Sequence, residues 1–109
     1  MMKIGLLALV CVAVAGTALA QDAKVARGKA VYAEQKCKMC HSVAGEGNAK
    51  GSLDGKGATL KADDVKQWLV NPQAMAEKAN ATRKPPMKAY PTLSPEDTDA
   101  LVAYILSLK

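Results

Sequence analysis

The chain has 109 residues, room for one domain and not two. Its net charge of +5 comes from lysines and arginines spread along the sequence with no recognisable nucleic-acid-binding motif, which argues against a nucleic-acid partner. With no phenylalanine, one tryptophan and three tyrosines, so short a chain has a thin core, and such domains usually need a disulfide, a metal or a cofactor.

The first twenty residues have the layout of an export signal. Lys3 gives a positive start, Ile4 to Ala15 is almost wholly apolar, and Ala18-Leu19-Ala20 is an A-x-A cleavage site followed by polar Gln21 and Asp22. Residues 1–20 are therefore expected to be removed as a signal peptide, leaving one domain over residues 21–109. The apolar run is shorter than the roughly 20 residues a membrane span needs. An uncleaved anchor is the alternative. Removal takes away Lys3 and Cys11, so two cysteines remain, too close in sequence for a disulfide between them to stabilise much.

The remaining elements read as helices. Val25 to Lys36 favours helix, with Val25, Gly28, Val31 and Tyr32 marking its apolar side. Gly45 to Gly57 holds five glycines in thirteen positions with no periodicity, and is expected to be a loop wrapped around something functional. Asp63 and Asp64 suit a helix start, and Val65, Trp68 and Leu69 fall on one face before Pro72. A short helix is expected over Pro72 to Ala79, then an extended stretch from Asn80 to Thr92 carrying Pro85, Pro86 and Pro91. Ser94 caps the last helix, Pro95 takes its first position, and Asp97 makes a capping-box-like S-x-x-D. Leu101, Tyr104, Ile105 and Leu108 form its stripe. No strand-like alternation appears, so the fold class is all-α.

The chemistry lies in Cys37-Lys38-Met39-Cys40-His41, the C-x-x-C-H attachment sequence of a c-type haem. Two thiols separated by two residues reach the two vinyl groups on one porphyrin edge and form thioethers; the adjacent histidine then lies beneath the iron. A redox disulfide usually has a βα context, absent here. A zinc site would need more Cys or His than the chain supplies after Ala20.

His41 is the only histidine, so a bis-histidine iron is impossible within one chain. Of the methionines beyond Ala20, Met39 is tethered inside the motif on the proximal side. Met87 follows Pro85-Pro86 in a stiff extended stretch suited to presenting one side chain at a fixed distance, and is assigned as distal ligand. Met75, on the short helix, is the alternative, although methionines there more often fill a core.

Together these segments resemble the class I monohaem cytochromes c of bacteria over essentially all of residues 28–109. Gly28-Lys29-Ala30-Val31-Tyr32 resembles that family's first helix, Tyr104 the aromatic of its terminal helix, and Trp68-Leu69-Val70-Asn71-Pro72 its middle helix. The resemblance implies three or four helices wrapped around one covalently bound haem c, with Gly28 letting the terminal helix cross closely. It also implies that the Trp68 indole hydrogen-bonds a haem propionate, the alternative being ordinary core packing. Relatives usually carry a G-P-x-L element whose proline carbonyl accepts the histidine ring N–H. Here the run is Lys50-Gly51-Ser52-Leu53, so the Gly51 carbonyl takes that role and Leu53 covers the haem face.

The function implied is electron transfer, not enzymatic turnover, by a periplasmic monomer with His41 and Met87 on the iron. Two readings compete: a gas- or peroxide-binding sensor or catalyst with a labile distal ligand, and a haem subunit of a larger respiratory complex. Lys36, Lys38, Lys84 and Lys88 flank the cysteines and Met87, and are expected to ring the haem edge and steer it to acidic redox partners. The plainer reading is that they keep the protein soluble. Membrane contact is expected only through such complexes.

Overall fold

A computed structural model describes the backbone of residues 5–109 and the side chains of residues 18–109. The first positions of the expected export signal, including Lys3, lie outside the described residues, as do the side chains of its apolar run. Among the described residues no helix is long and apolar enough to cross a membrane.

Four α-helices are described: α1 (Gly5–Glu34), α2 (Ala62–Val70), α3 (Pro72–Lys78) and α4 (Pro95–Leu106). The helix expected from Val25 is the last part of α1, which runs back without a break through the Ala18–Ala20 motif. It stops two residues short of Lys36. That lysine takes a left-handed conformation (φ 58°, ψ 37°) and turns the chain into the cysteine motif. One correction concerns strands. Ser42–Val43 (β1) and Glu46–Gly47 (β2) form a small antiparallel hairpin through Ala44 and Gly45, both at positive φ. Two residues per strand are too few for an alternating pattern to register.

The core is where α1 crosses α4, with α2 beside them. Val31 is wholly buried and Leu101 is 2 % exposed; Tyr32, Val65, Leu69, Tyr104 and Ile105 surround them. Fully burying side chains of this size stabilises by about 1.5–3 kcal/mol each. Tyr32 and Tyr104 meet edge-on, ring centroids 5.5 Å apart at 64°, a pairing that adds about 0.5–1.5 kcal/mol. Burial pushes the Tyr32 hydroxyl pKa up to about 12, so it stays protonated.

Gly28 is the close approach. A Cβ on it would strike the Ala100 carbonyl and, at 2.7 Å, the Tyr104 Cβ. Backbone therefore lies directly on backbone at the crossing.

The caps hold with one difference. Ser94 Oγ accepts from the Asp97 amide at 3.1 Å, and Pro95 occupies the first turn, as the sequence predicts. The Asp97 carboxylate does not complete a capping box. It turns to α1 and takes two bonds from Arg27, from Nε and Nη2, each at 2.9 Å. Arg27 also reaches Glu34 at 3.2 Å.

That fork holds Asp97 below the ordinary carboxylate pKa, its bond from Arg27 being the largest cause. A depressed folded-state pKa contributes stability above the unfolded value and loses it as pH falls through the folded one. Asp97→Asn is thus expected to lower the urea midpoint at pH 7. The gap from the unsubstituted protein is expected to close below about pH 4, near where unfolded aspartate protonates. A gap that stays constant from pH 7 to pH 2 would show that the pair carries no linked stability.

Candidate functional site

The cysteine motif sits at the end of α1 as a single 3-10 turn, Cys37–Met39. In such a turn residues three apart lie on the same side, which suits Cys37 and Cys40 to one edge of a flat group. Both thiols are free; Cys37 is half-buried and Cys40 exposed. Burial pushes the Cys37 pKa up to about 11, with the Lys88 charge opposing. At neutral pH it is a protonated thiol; with a haem bound, net addition of its S–H across a vinyl group would give a thioether without any redox step.

His41 is fixed from several sides. Its amide donates to Cys37 O (2.9 Å) and its carbonyl accepts from the Asn48 amide (2.9 Å). The next residue, buried Ser42, accepts from Leu53 N at 2.8 Å. The ring Nδ1 is 2.9 Å from the Gly51 carbonyl. A carbonyl only accepts, so Nδ1 carries the proton and Nε2 presents its lone pair. Burial holds the His41 pKa below the ordinary value, the Gly51 bond opposes it, and the Arg83 charge lowers it further. The imidazole is therefore neutral at pH 7, the form that binds a metal.

Gly51 sits tightly. A Cβ on it would meet the Cys40 carbonyl and the Arg83 guanidinium, which reaches across from the Met87-bearing segment. Arg83 was legible in the sequence only as the arginine nearest Met87. Nothing local signals that its side chain lies at Gly51.

Met87 is half-buried and packs against the core, as do Cys37 and Leu53. Tyr90 packs there too, and its amide donates to Leu69 O (2.9 Å), tying the distal segment to α2. The Lys88 ammonium lies 5.3 Å from the Tyr90 ring centroid, a cation–π contact missed at the sequence level. A cavity of about 810 Å³ opens beside Met87, lined also by Val70, Pro72, Ala76 and Pro86; Cys37, Cys40 and His41 do not line it. Met75 is half-buried on α3, Met39 is 69 % exposed, and Trp68 is half-buried. Lys36, Lys38, Lys84 and Lys88 are all exposed.

The donor set fits a haem. Two thiols three residues apart, an oriented neutral imidazole and a rim of half-buried apolar side chains are what covalent attachment and one axial bond require. His41 and Met87 could serve as axial ligands, with Cys37 and Cys40 as attachment points.

Comparison with known proteins gives the family. A family model described as cytochrome c matches residues 25–109. Cytochrome c oxidase subunit 2 of Alkalihalophilus pseudofirmus is 33 % identical over 92 residues, covering 76 % of this chain and 25 % of that protein. The chain thus spans about a quarter of the length of that curated relative. No solved structure matches significantly.

Proposed function

The chain belongs to the cytochrome c family, and on that premise we propose that it shuttles single electrons between periplasmic redox proteins through one haem c. Cys37 and Cys40 attach the haem, and His41 and Met87 bind its iron. A haem so held supplies a one-electron iron couple. The observation that carries the reading is the His41 Nδ1–Gly51 O contact of 2.9 Å, which orients the imidazole and leaves Nε2 as the donor.

The protein's own part is to hold ligands still and exclude water. The hairpin and the Asn48 amide fix the backbone at His41. Core packing holds Met87, and a thioether sulfur on the iron raises the reduction potential. The exposed lysines near the attachment site favour an acidic partner, with fast, weak and salt-sensitive docking.

A visible spectrum of the haem-loaded protein tests the reading. Sharp low-spin bands, the weak long-wavelength band of a methionine–iron bond in the oxidised form and no response to carbon monoxide in the reduced form are expected. A high-spin spectrum, or a shift on adding carbon monoxide, would mean an open sixth position and a gas-binding role. A second reading, a domain held in a larger respiratory assembly, is supported by the oxidase subunit among the relatives. It predicts that haem-stained protein from native cells sediments with membranes; the shuttle predicts the soluble fraction.

A further inference from the structure

We propose that Arg83 is a positioning residue that fastens the Met87-bearing segment to the loop behind His41 by seating its guanidinium in the space left by the missing side chain of Gly51. The inference rests on the reading of His41 and Met87 as the two iron ligands.

Between its backbone anchors the distal segment is held by side-chain packing alone. After the Ala81 amide bonds to Ala76 O and before the Tyr90 amide bonds to Leu69 O, residues 82–89 make no backbone hydrogen bond among the described residues. Prolines 85 and 86 stiffen the stretch without anchoring it. Arg83 lies four residues before Met87, so a tether there limits how far the methionine can swing. Its seat is specific. Any Cβ at Gly51 would collide with Nη1 of Arg83 and approach its Cζ to 3.1 Å. The same Gly51 offers its carbonyl to His41 Nδ1. One residue thus receives both the proximal histidine and the strap from the distal side, so displacing the strap is expected to loosen Met87 without touching a ligand.

The test uses the oxidised haem-loaded protein and imidazole, a small ligand that competes with a weakly held methionine. Arg83→Gln removes the charged fork from an exposed residue and is expected to fold normally. Its imidazole affinity is expected to rise roughly tenfold, as for the loss of one contact network. Gly51→Ala is unsuitable as a partner variant, because its Cβ would also strike the Cys40 carbonyl. Arg83→Lys, which keeps the charge but lacks the planar fork at Gly51, is expected to give a smaller rise than Arg83→Gln. An unchanged affinity in Arg83→Gln would overturn the proposal.

The spectrum of the unsubstituted protein separates this from failure of the ligand reading. Should that spectrum lack methionine ligation, tryptic cleavage after Lys88 still reports the tether: faster cutting in Arg83→Gln supports it, and an equal rate refutes it.

Discussion

Gly28→Val is expected to undo the docking of α1 on α4 and to cost about 3 kcal/mol or more, the upper end of what forced overpacking does. The usual remedy for an added methyl group is a rotamer change in a neighbour. Here the first atoms met belong to the Ala100 carbonyl, and the third is the Tyr104 Cβ, none of which can rotate away. The helices would have to separate, taking with them the Val31–Leu101 centre of the core and the Tyr32–Tyr104 contact. Against the roughly 5–15 kcal/mol that holds a typical domain folded, such a loss is a large share of the margin. Urea unfolding of haem-loaded protein would show the midpoint falling steeply, and Gly28→Ala is expected to lower it too, because its Cβ is the very atom that strikes the Ala100 carbonyl. Equal midpoints for Gly28→Val and the unsubstituted protein would mean that the helices do not cross at this residue.

The parts of the fold that depend on neighbours in sequence were readable beforehand. Ser94 and Pro95 start α4, Pro72 starts α3, and the stripe through Leu101, Tyr104 and Ile105 is buried as its spacing requires. The parts fixed by distant residues were not. The glycine-rich stretch has structure because Gly57 N bonds Leu108 O, Leu53 N bonds Ser42 O, and Ala44 N bonds Asp54 Oδ1. None of these pairs leaves a periodic trace. Asp97 has the right residue type for a capping box, yet Arg27, seventy positions away, offers a charged two-pronged partner that a backbone amide does not match.

The site divides the same way. Cys37, Cys40 and His41 lie within five consecutive residues, so the pattern that suggests haem attachment is visible in five letters. The Gly51 partner of His41 was accessible only through resemblance, and the structure supplies its distance. Arg83 was visible as a charge near Met87 and not as a strap. Its placement depends on an empty volume at residue 51, and an absence of side chain is read from sequence only when its surroundings are known.

Met87→Ala is the substitution with the largest expected functional effect. On the proposed assignment Cys37 and Cys40 attach the haem, so the variant is expected to keep its covalent cofactor through denaturing electrophoresis. The half-buried side chain packs on the core, so its loss costs about 2 kcal/mol, the low end for removing a larger buried methionine. The greater effect is electronic. Without the thioether the reduction potential is expected to fall by on the order of 0.1 V or more, within the roughly 0.8 V that axial ligation spans. The reduced variant is expected to bind carbon monoxide, and the unsubstituted protein is expected not to. Met75→Ala serves as the counterpart, since Met75 is also half-buried and lies on α3 near the same segment. It is expected to leave both spectrum and potential unchanged. The opposite pattern, a carbon-monoxide response in Met75→Ala and none in Met87→Ala, would move the distal ligand to α3 and leave the Pro85-Pro86 stretch a purely structural role.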